Sequence, residues 1–492
     1  MITLHSVTNR RGSALPIVLF FSAIAGATMF VYIMSQYSLS RPDMQSVSRL
    51  QTRLTARAGI WHGLAMLNSQ STQDDQDQTI DTTTESLFME DLWTGEDEDA
   101  MEDDTVRLLL VDQPIEVVPF TDTSYGKAIL HLGDAGLMRH LSSLGVFRDQ
   151  QRKISVLLGS RPITSPDTVL YLQTPDRPHG LGIFDGVIGL VPVEVDSGNS
   201  NGGAGRRHRF AVNSSDLNEY IEDHSALLAE AEDTAFEVAP FRIAHGDDLD
   251  SIPEMIDGDL LIDATFHTIQ WAEDRTIHVL KDLQIDGDVL LEGLTFNVGG
   301  EIRLGVDENF SSADEIQLRD VTLFSRSRIF FARNVIFEGS AMALGDVEIY
   351  SNAQIVNKSV IASNGEPGKN KGEEKARGQG ASGANPAKPS NPFTIYVRDE
   401  ATVDGVLLNL NSKGGIKIEP QTELRGILWA EGSVCHEGRL DGAVKAKVLV
   451  SSEETTGTTR NIMDGSVRSL DNIGEYHLPY FIGELTILEW RE

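Results

Sequence analysis

Apolar and polar positions follow three different patterns along the chain, and each pattern predicts a different element. The first is an uninterrupted apolar run over 13–34, which holds 22 residues without a charged side chain. As an α-helix that rises about 1.5 Å per residue it would extend roughly 33 Å, enough to cross a bilayer core of about 30 Å. Arg10 and Arg11 precede the run, and the positive-inside rule keeps such residues in the cytoplasm. The run therefore predicts a single transmembrane helix, with the rest of the chain outside the cytoplasm.

A helical pattern continues beyond this run to residue 68. Six apolar or small residues recur at spacings of three and four, which is typical of an amphipathic helix that packs against a partner. They are Val47, Leu50, Leu54, Ala58, Trp61 and Ala65. Arg49, Arg53 and Arg57 line a different face, either as a solvated face or as partners of acidic groups in the same or an adjacent subunit. We predict one transmembrane and stem helix over 13–68.

From Ile329 the pattern becomes a repeat of six residues. The hexads IFFARN, VIFEGS, AMALGD, VEIYSN, AQIVNK and SVIASN follow one another without a gap. Their first and third residues are apolar or small, and their last two are mostly Gly, Ser, Asn, Asp or Lys. Short alternating strands separated by polar corners predict a parallel β-helix, in which each hexad forms one side of a coil. Looser hexads extend the predicted β-helix over 257–450, and its coil size resembles that of bactofilin-like β-solenoids.

The remaining segments are interpreted from composition. The stretch from 70 to 104 holds 14 Asp or Glu residues and no Lys or Arg, so we expect 69–106 to be a flexible acidic linker, with calcium binding as the alternative. Apolar runs over 107–165 predict a small β domain. We expect a mixed connecting region over 166–256 that includes a helix over 217–231, a disordered Gly-, Pro- and Lys-rich insert over 364–392, and a C-terminal tail over 451–492.

Composition narrows the function. The formal net charge of −33 argues against nucleic acid as a partner, because phosphate binding needs clustered Lys and Arg. The single cysteine, Cys435, excludes a disulfide within the chain. No phosphate-binding, zinc-protease, serine-hydrolase, CxxC or dinucleotide motif is present, so we expect no catalytic residues, no metal site and no cofactor. His208 and His436 are interpreted as ordinary polar residues.

The sequences RRGSALPIVLFF at the N-terminus and ARAGIWHGLAML over 56–67 resemble type IV pilin-like proteins, specifically the X-type and K-type minor pseudopilins of pilus assembly. The runs over 107–165 also resemble the small antiparallel sheet that packs on the stem helix of these proteins. The resemblance implies a leader over 1–12, cleavage by a prepilin peptidase between Gly12 and Ser13, and methylation of the new N-terminus. The expected fold is therefore mainly β, with a long transmembrane helix, a small pilin-like sheet and a C-terminal parallel β-helix.

The chain differs from major pilins at one position that bears on its expected role in a filament. Major pilins have Glu at the fifth mature position, where this chain has Ile17. The resemblance implies that this Glu pairs with the N-terminal ammonium group of a neighbouring subunit, and an ionised group in hydrocarbon costs at least about 2.5 kcal/mol unless it finds such a partner. Without it, the chain suits the tip or the start of a filament better than its repeating body.

Three functions stay open from the sequence. The first is a pilin-like minor subunit or assembly factor, in the bacterial inner membrane, that displays a β-helix outside the cytoplasm. Its expected partners are the prepilin peptidase, other pilin-like subunits, membrane lipid and a surface or polysaccharide ligand. The second is a single-pass anchored structural or adhesive β-helix without a filament. The third is an anchored polysaccharide lyase or hydrolase, whose candidate carboxylates are Asp286, Asp288, Asp320, Asp346, Asp399 and Asp404.

Overall fold

The structure is a computed structural model. It describes residues 28–29, 46–68, 113–119, 126–161, 168–172, 183–185, 187–190, 212–231, 239–244, 252–305, 315–366, 393–451, 465–483 and 485–491. The predicted leader, the apolar run over 13–34 apart from residues 28–29, the acidic linker and most of the insert lie outside these residues. Among the described residues, no helix combines the length and apolar character needed to span a membrane.

A parallel β-helix forms the larger part of the described chain. Its strands stack into three ladders, one on each side of the coil. Side one contains β8 (Phe241–Ala244), β12 (Ile302–Leu304), β14 (Ile329–Phe331), β16 (Val347–Ile349), β18 (Ile395–Val397), β20 (Gly415–Ile418), β22 (Ser433–His436) and β24 (Val448–Leu449). Two long strands, β10 (Leu260–Val279) and β11 (Leu283–Val298), turn the corners and contribute to all three sides.

Sides two and three share most of their strands. The shared strands are β13 (Ile316–Ser325), β15 (Val335–Ala343), β17 (Gln354–Ser363), β19 (Thr402–Asn409), β21 (Glu423–Ala430) and β23 (Arg439–Ala446). Side two also contains β25 (Ser466–Arg468) and β6 (Ile183–Asp185), and side three contains β9 (Met255–Ile256), β5 (Thr168–Leu172) and β7 (Val187–Leu190).

The six-residue repeat correctly predicts which side chains point into the β-helix. All first and third positions of the hexads over 329–364 are buried. Ile329 pairs in register with Val347, and Val347 with Ile395, so like residues stack from coil to coil. The ring centroids of Phe331 and Phe337 lie 5.1 Å apart in the interior of the β-helix. Because the apolar interior is continuous along the stack, each coil is stabilised mainly by its two neighbours.

The β-helix is larger than the predicted 257–450. Strands from the predicted connecting region complete it at both ends: β8 and β9 pair with β10, whereas β5 and β7 stack beyond β23. The chain leaves the coil after β25, so an earlier segment, β5, supplies the missing strand of side three. Local periodicity over 257–450 does not reveal this pairing, because the paired segments are far apart in sequence.

A five-stranded antiparallel sheet forms the second part of the fold. It contains β1 (Ile115–Val117), β2 (Lys127–Ala135), β3 (Met138–Phe147), β4 (Gln150–Ser160) and β26 (Leu485–Arg491) in that order. Four of these strands lie in the predicted β domain, but β26 comes from the predicted C-terminal tail and pairs with β4. The interpretation of 451–492 as a tail is therefore wrong. Strand β25 extends side two of the β-helix, and β26 extends the antiparallel sheet. Tyr480 and Phe481 are buried between the β-helix and this sheet.

Two α-helices in the described part of the chain complete the fold. Helix α1 covers 46–68 and packs on one face of the antiparallel sheet. Helix α2 (Ser214–Ala231) confirms the helix expected over 217–231 and packs Tyr220 against Phe324 of the β-helix and against Phe481. Side three of the β-helix is consequently buried on both faces from β17 to β23, because its outward residues there join the core of the sheet and helices.

Candidate functional site

Helix α1 lies very close to its own sheet along one face. Ala56 and Ile60 are fully buried there. A Cβ atom at Gly59 would lie 2.4 Å from Ser143 Oγ, and one at Gly145 of β3 would lie 2.4 Å from the Thr52 carbonyl oxygen. Glycine at these positions is what allows the helix and the sheet to touch. The Thr52 hydroxyl, buried in this contact, donates to the Ser48 carbonyl oxygen at 2.7 Å.

The opposite face of α1 carries the predicted apolar stripe, and it is exposed. Val47, Leu50, Leu54 and Trp61 have 63, 58, 47 and 57% of their surface accessible. Ala65 is also exposed and Ala58 is half-buried. The structure brings these six residues together on one side of the helix, but none of them is part of the buried core. Their predicted packing against a neighbouring subunit stays a prediction.

Trp490 of β26 extends this exposed stripe. Its ring centroid lies 6.2 Å from that of Trp61, and the guanidinium carbon of Arg57 lies 5.4 Å from the Trp490 ring centroid. This cation–π contact stabilises the Trp490 ring beside α1. We call Val47, Leu50, Leu54, Trp61 and Trp490 the α1 surface. Sequence reasoning missed Trp490 because it is far from α1 in sequence and is brought there only by the pairing of β26 with β4.

A basic pocket of about 540 Å³ borders the α1 surface. Arg49, Arg53 and Arg152 supply its positive charge, and Leu50 belongs to both the pocket and the stripe. Three arginines in one pocket are notable on a chain whose net charge is −33. The combination suits a partner that offers an apolar stripe flanked by carboxylates, since arginine pairs strongly with carboxylates.

The carboxylates proposed for catalysis are not assembled into one site. Asp286 accepts a hydrogen bond from Gln284 at 2.6 Å, Asp399 from the Gln421 backbone at 3.2 Å, and Asp404 from Tyr476 at 2.5 Å. Burial raises the pKa of Asp346 to about 6, but it lies in the turn between β15 and β16, away from these pairs. Asp288 and Asp320 lie at corners of other strands, β11 and β13. The six are spread over several coils instead of facing one another.

The histidines and the cysteine that the sequence analysis considered do not form a common site in the described residues. His436 is buried inside the β-helix, where burial lowers its pKa to about 4 and its Nε2 atom lies 3.2 Å from the Ser466 carbonyl oxygen. Cys435 is buried, whereas Gly12, Ser13 and His208 lie outside the described residues. Within the described ranges, no cluster of three His, Cys, Asp or Glu side chains could hold a metal ion.

Comparisons with known proteins give little further information. No family model matches the chain, and no curated protein matches it. Among solved structures, it is similar to the competence-associated pilin ComZ from Thermus thermophilus, with 12% identity over 90% of this chain and 97% of that one. The TM-score is 0.19, which is too low for this likeness to bear on fold or function.

Proposed function

We propose that this protein is a membrane-inserted, type IV pilin-like minor subunit or assembly factor that displays its β-helix outside the cytoplasm. The observation that carries the proposal is the two-faced helix α1. One face is fixed to an antiparallel sheet, and the other presents an apolar stripe whose four large side chains are 47–63% exposed. This helix follows closely on an apolar run that is long enough to span a bilayer.

The exposure of the stripe supports association with other helices. Four large apolar side chains at about half exposure or more, aligned on one helix, are unusual for the surface of a monomer. Burial of apolar surface yields about 25 cal/mol per Å², so a partner helix seated on the α1 surface would be stabilised substantially. The bordering arginines would select a partner with acidic side chains.

The proposed position is the tip or the start of a filament. Ile17 lacks the carboxylate that, in the family this chain resembles, couples one subunit to the next. The β-helix is also the larger part of the described chain, and a bulky domain is easier to place at an end than along a closely packed filament.

Processing of the N-terminus tests this proposal. The mass and N-terminal sequence of the protein would be determined in cells with and without the prepilin peptidase. We expect a chain that begins at Ser13 when the peptidase is present and at Met1 when it is absent. Gly12→Val should block cleavage, whereas Gly26→Ala, within the apolar run, should leave it unchanged. A chain that begins at Met1 in every case would contradict the filament role and favour the simple anchor.

A further inference from the structure

A polar cavity of about 1150 Å³ lies between the antiparallel sheet and side three of the β-helix. The sheet contributes the face opposite α1, with His131 on β2 and His140 on β3. Asp223 and His224 of α2 border it as well. We call this cavity the groove. It is separate from the α1 surface, which lies on the other face of the sheet.

The β-helix wall of the groove carries a ladder of hydroxyl groups. Thr276 pairs with Thr295, Thr295 with Thr322, and Thr322 with Ser340, all in register. Adjacent strands lie about 4.8 Å apart, so the four hydroxyls form a regular row along the groove. All four residues line the cavity.

The outward position of side three that carries the hydroxyl ladder becomes apolar where the groove ends. After Ser340 the row continues with Val360, Val406, Ile427 and Ala443, and these four are buried beneath the sheet and helices. The change occurs at the tip of the β2–β3 hairpin, where a Cβ atom at Gly136 would lie 3.0 Å from the hydroxyl oxygens of both Ser340 and Thr322. Hydroxyls thus line the open part of side three, and apolar side chains fill the covered part.

A buried amide next to the ladder has unused hydrogen-bonding capacity. Asn297 lines the groove and is only 5% exposed, yet its Oδ1 atom has no hydrogen-bond partner among the described residues. A buried polar atom without a partner is energetically unfavourable, so such an atom at the edge of a cavity is a candidate to hydrogen-bond to a ligand.

The charge of the groove limits the ligand. Its carboxylates are Asp134, Asp223, Asp320, Glu338 and Glu475, and its cations are Lys358 and Arg491. Lys358 is paired with Glu475 at 2.5 Å, and Arg491 with Glu489 at 3.1 Å. Burial, together with Glu219 and Asp134, raises the pKa of Asp223. Burial also lowers the pKa values of His140, His224 and His477, so these imidazoles are mostly neutral at pH 7. A negative groove rejects uronates and phosphates and attracts amino groups.

We propose that the groove binds a linear oligosaccharide of hexosamine units, with the hydroxyl ladder and Asn297 hydrogen-bonded to the sugar hydroxyls and the carboxylates facing the amino groups. The ladder repeats at a distance similar to the length of one sugar ring, so successive units meet equivalent hydroxyls. This inference does not depend on pilin-like processing, because the groove and the α1 surface share no residue.

Calorimetric titration of the purified full chain, in mild detergent, tests the groove. The probes are a glucosamine hexamer and a galacturonic acid hexamer. We expect the glucosamine hexamer to bind and the galacturonic acid hexamer not to bind. The double variant Thr295→Val and Thr322→Val keeps the shape of the wall and removes two hydroxyls, and it should weaken binding at least about tenfold. Thr402→Val, on an exposed position of side two, is the matched control and should not change binding.

A second variant keeps the test decisive if the double variant does not fold. Asp223→Asn removes a carboxylate from an exposed position of α2 and should weaken binding of the glucosamine hexamer several-fold. The proposal is overturned if the glucosamine hexamer does not bind, if the galacturonic acid hexamer binds equally well, or if the folded variants bind as tightly as the unaltered chain.

Discussion

The two apolar cores of this molecule are built in opposite ways. The interior of the β-helix is assembled from a repeated short pattern, so a residue such as Ile329 stacks on Val347, the equivalent residue of the next coil. The second core combines residues of α1, the antiparallel sheet, α2 and 473–485 with outward residues of side three such as Phe324 and Val406, and these segments are distant in sequence. The interior of the β-helix forms because each coil repeats the same pattern. The second core forms only when the folded β-helix brings its distant segments together. This contrast predicts where the fold is sensitive to substitution.

The largest expected effect is at the stacked glycines of the β-helix. Gly426 has a φ of +130°, and a Cβ atom there would lie 2.0 Å from the Gly405 carbonyl oxygen. Gly426→Ala combines an unfavourable backbone conformation with a clash against the next coil, so we expect a loss of about 4 kcal/mol in the free energy of unfolding. Gly474→Ala, where nothing lies within 4 Å of the added atom, is the control for urea unfolding. Equal stability of the two variants would refute the close stacking.

A pair of leucine substitutions tests whether the two cores open separately. Leu141 is fully buried beneath α1, and Leu428 is 1% exposed inside the β-helix. Each change to Ala should cost about 3 kcal/mol. Hydrogen exchange should show that Leu141→Ala mainly exposes the amides of 46–68, whereas Leu428→Ala exposes those of β19 to β23. If both variants accelerated exchange throughout the chain, the two cores would form one cooperative unit.

The pH dependence of the β-helix should come partly from His436. Its pKa is about 4 in the folded chain, below the usual value of about 6.5, because the buried imidazole is held neutral. The unfolded chain therefore binds the proton first as the pH falls, and stability is lost between about pH 6.5 and 4. The loss attributable to this residue should be about 2–3 kcal/mol. His436→Leu should remove that part of the pH dependence, as measured by urea unfolding at pH 7 and pH 4. An unchanged difference between these two pH values would assign the loss to other groups.

The sequence predicts the interior of the β-helix much better than the core that α1, α2 and the antiparallel sheet form. Ile329, Phe331, Val335 and Phe337 could be assigned to the interior because a solenoid repeats its environment every coil. The pairing of β26 with β4 and the placement of β5 could not, since no local pattern records which distant strand completes a sheet. For α1, hydropathy highlights Leu50, Leu54 and Trp61, but the face buried within the chain is selected by glycine and small residues that allow close approach. A pattern of apolar residues alone does not distinguish contacts within the chain from contacts between chains.

The smallest effect on stability is expected on the α1 surface. Leu54→Ser changes a side chain that is 47% exposed, so unfolding of the purified chain should shift by no more than about 0.5 kcal/mol. Leu64→Ser, on the buried face of the same helix at 8% exposure, should cost several times as much. We expect Leu54→Ser to impair filament assembly in cells while the protein remains folded. A large loss of stability in Leu54→Ser would mean that this residue packs within its own chain.

Site-specific crosslinking from the α1 surface tests the central claim most directly. Cys435 is buried, so a thiol-reactive photocrosslinker would attach selectively to an introduced cysteine. In cell membranes, Leu54→Cys should form adducts with another pilin-like subunit, and Glu423→Cys, at an exposed position of the β-helix, should not form the same adducts. Absence of any adduct at Leu54→Cys, or identical adducts at both positions, would contradict the account of α1 as the helix that joins this protein to its partners.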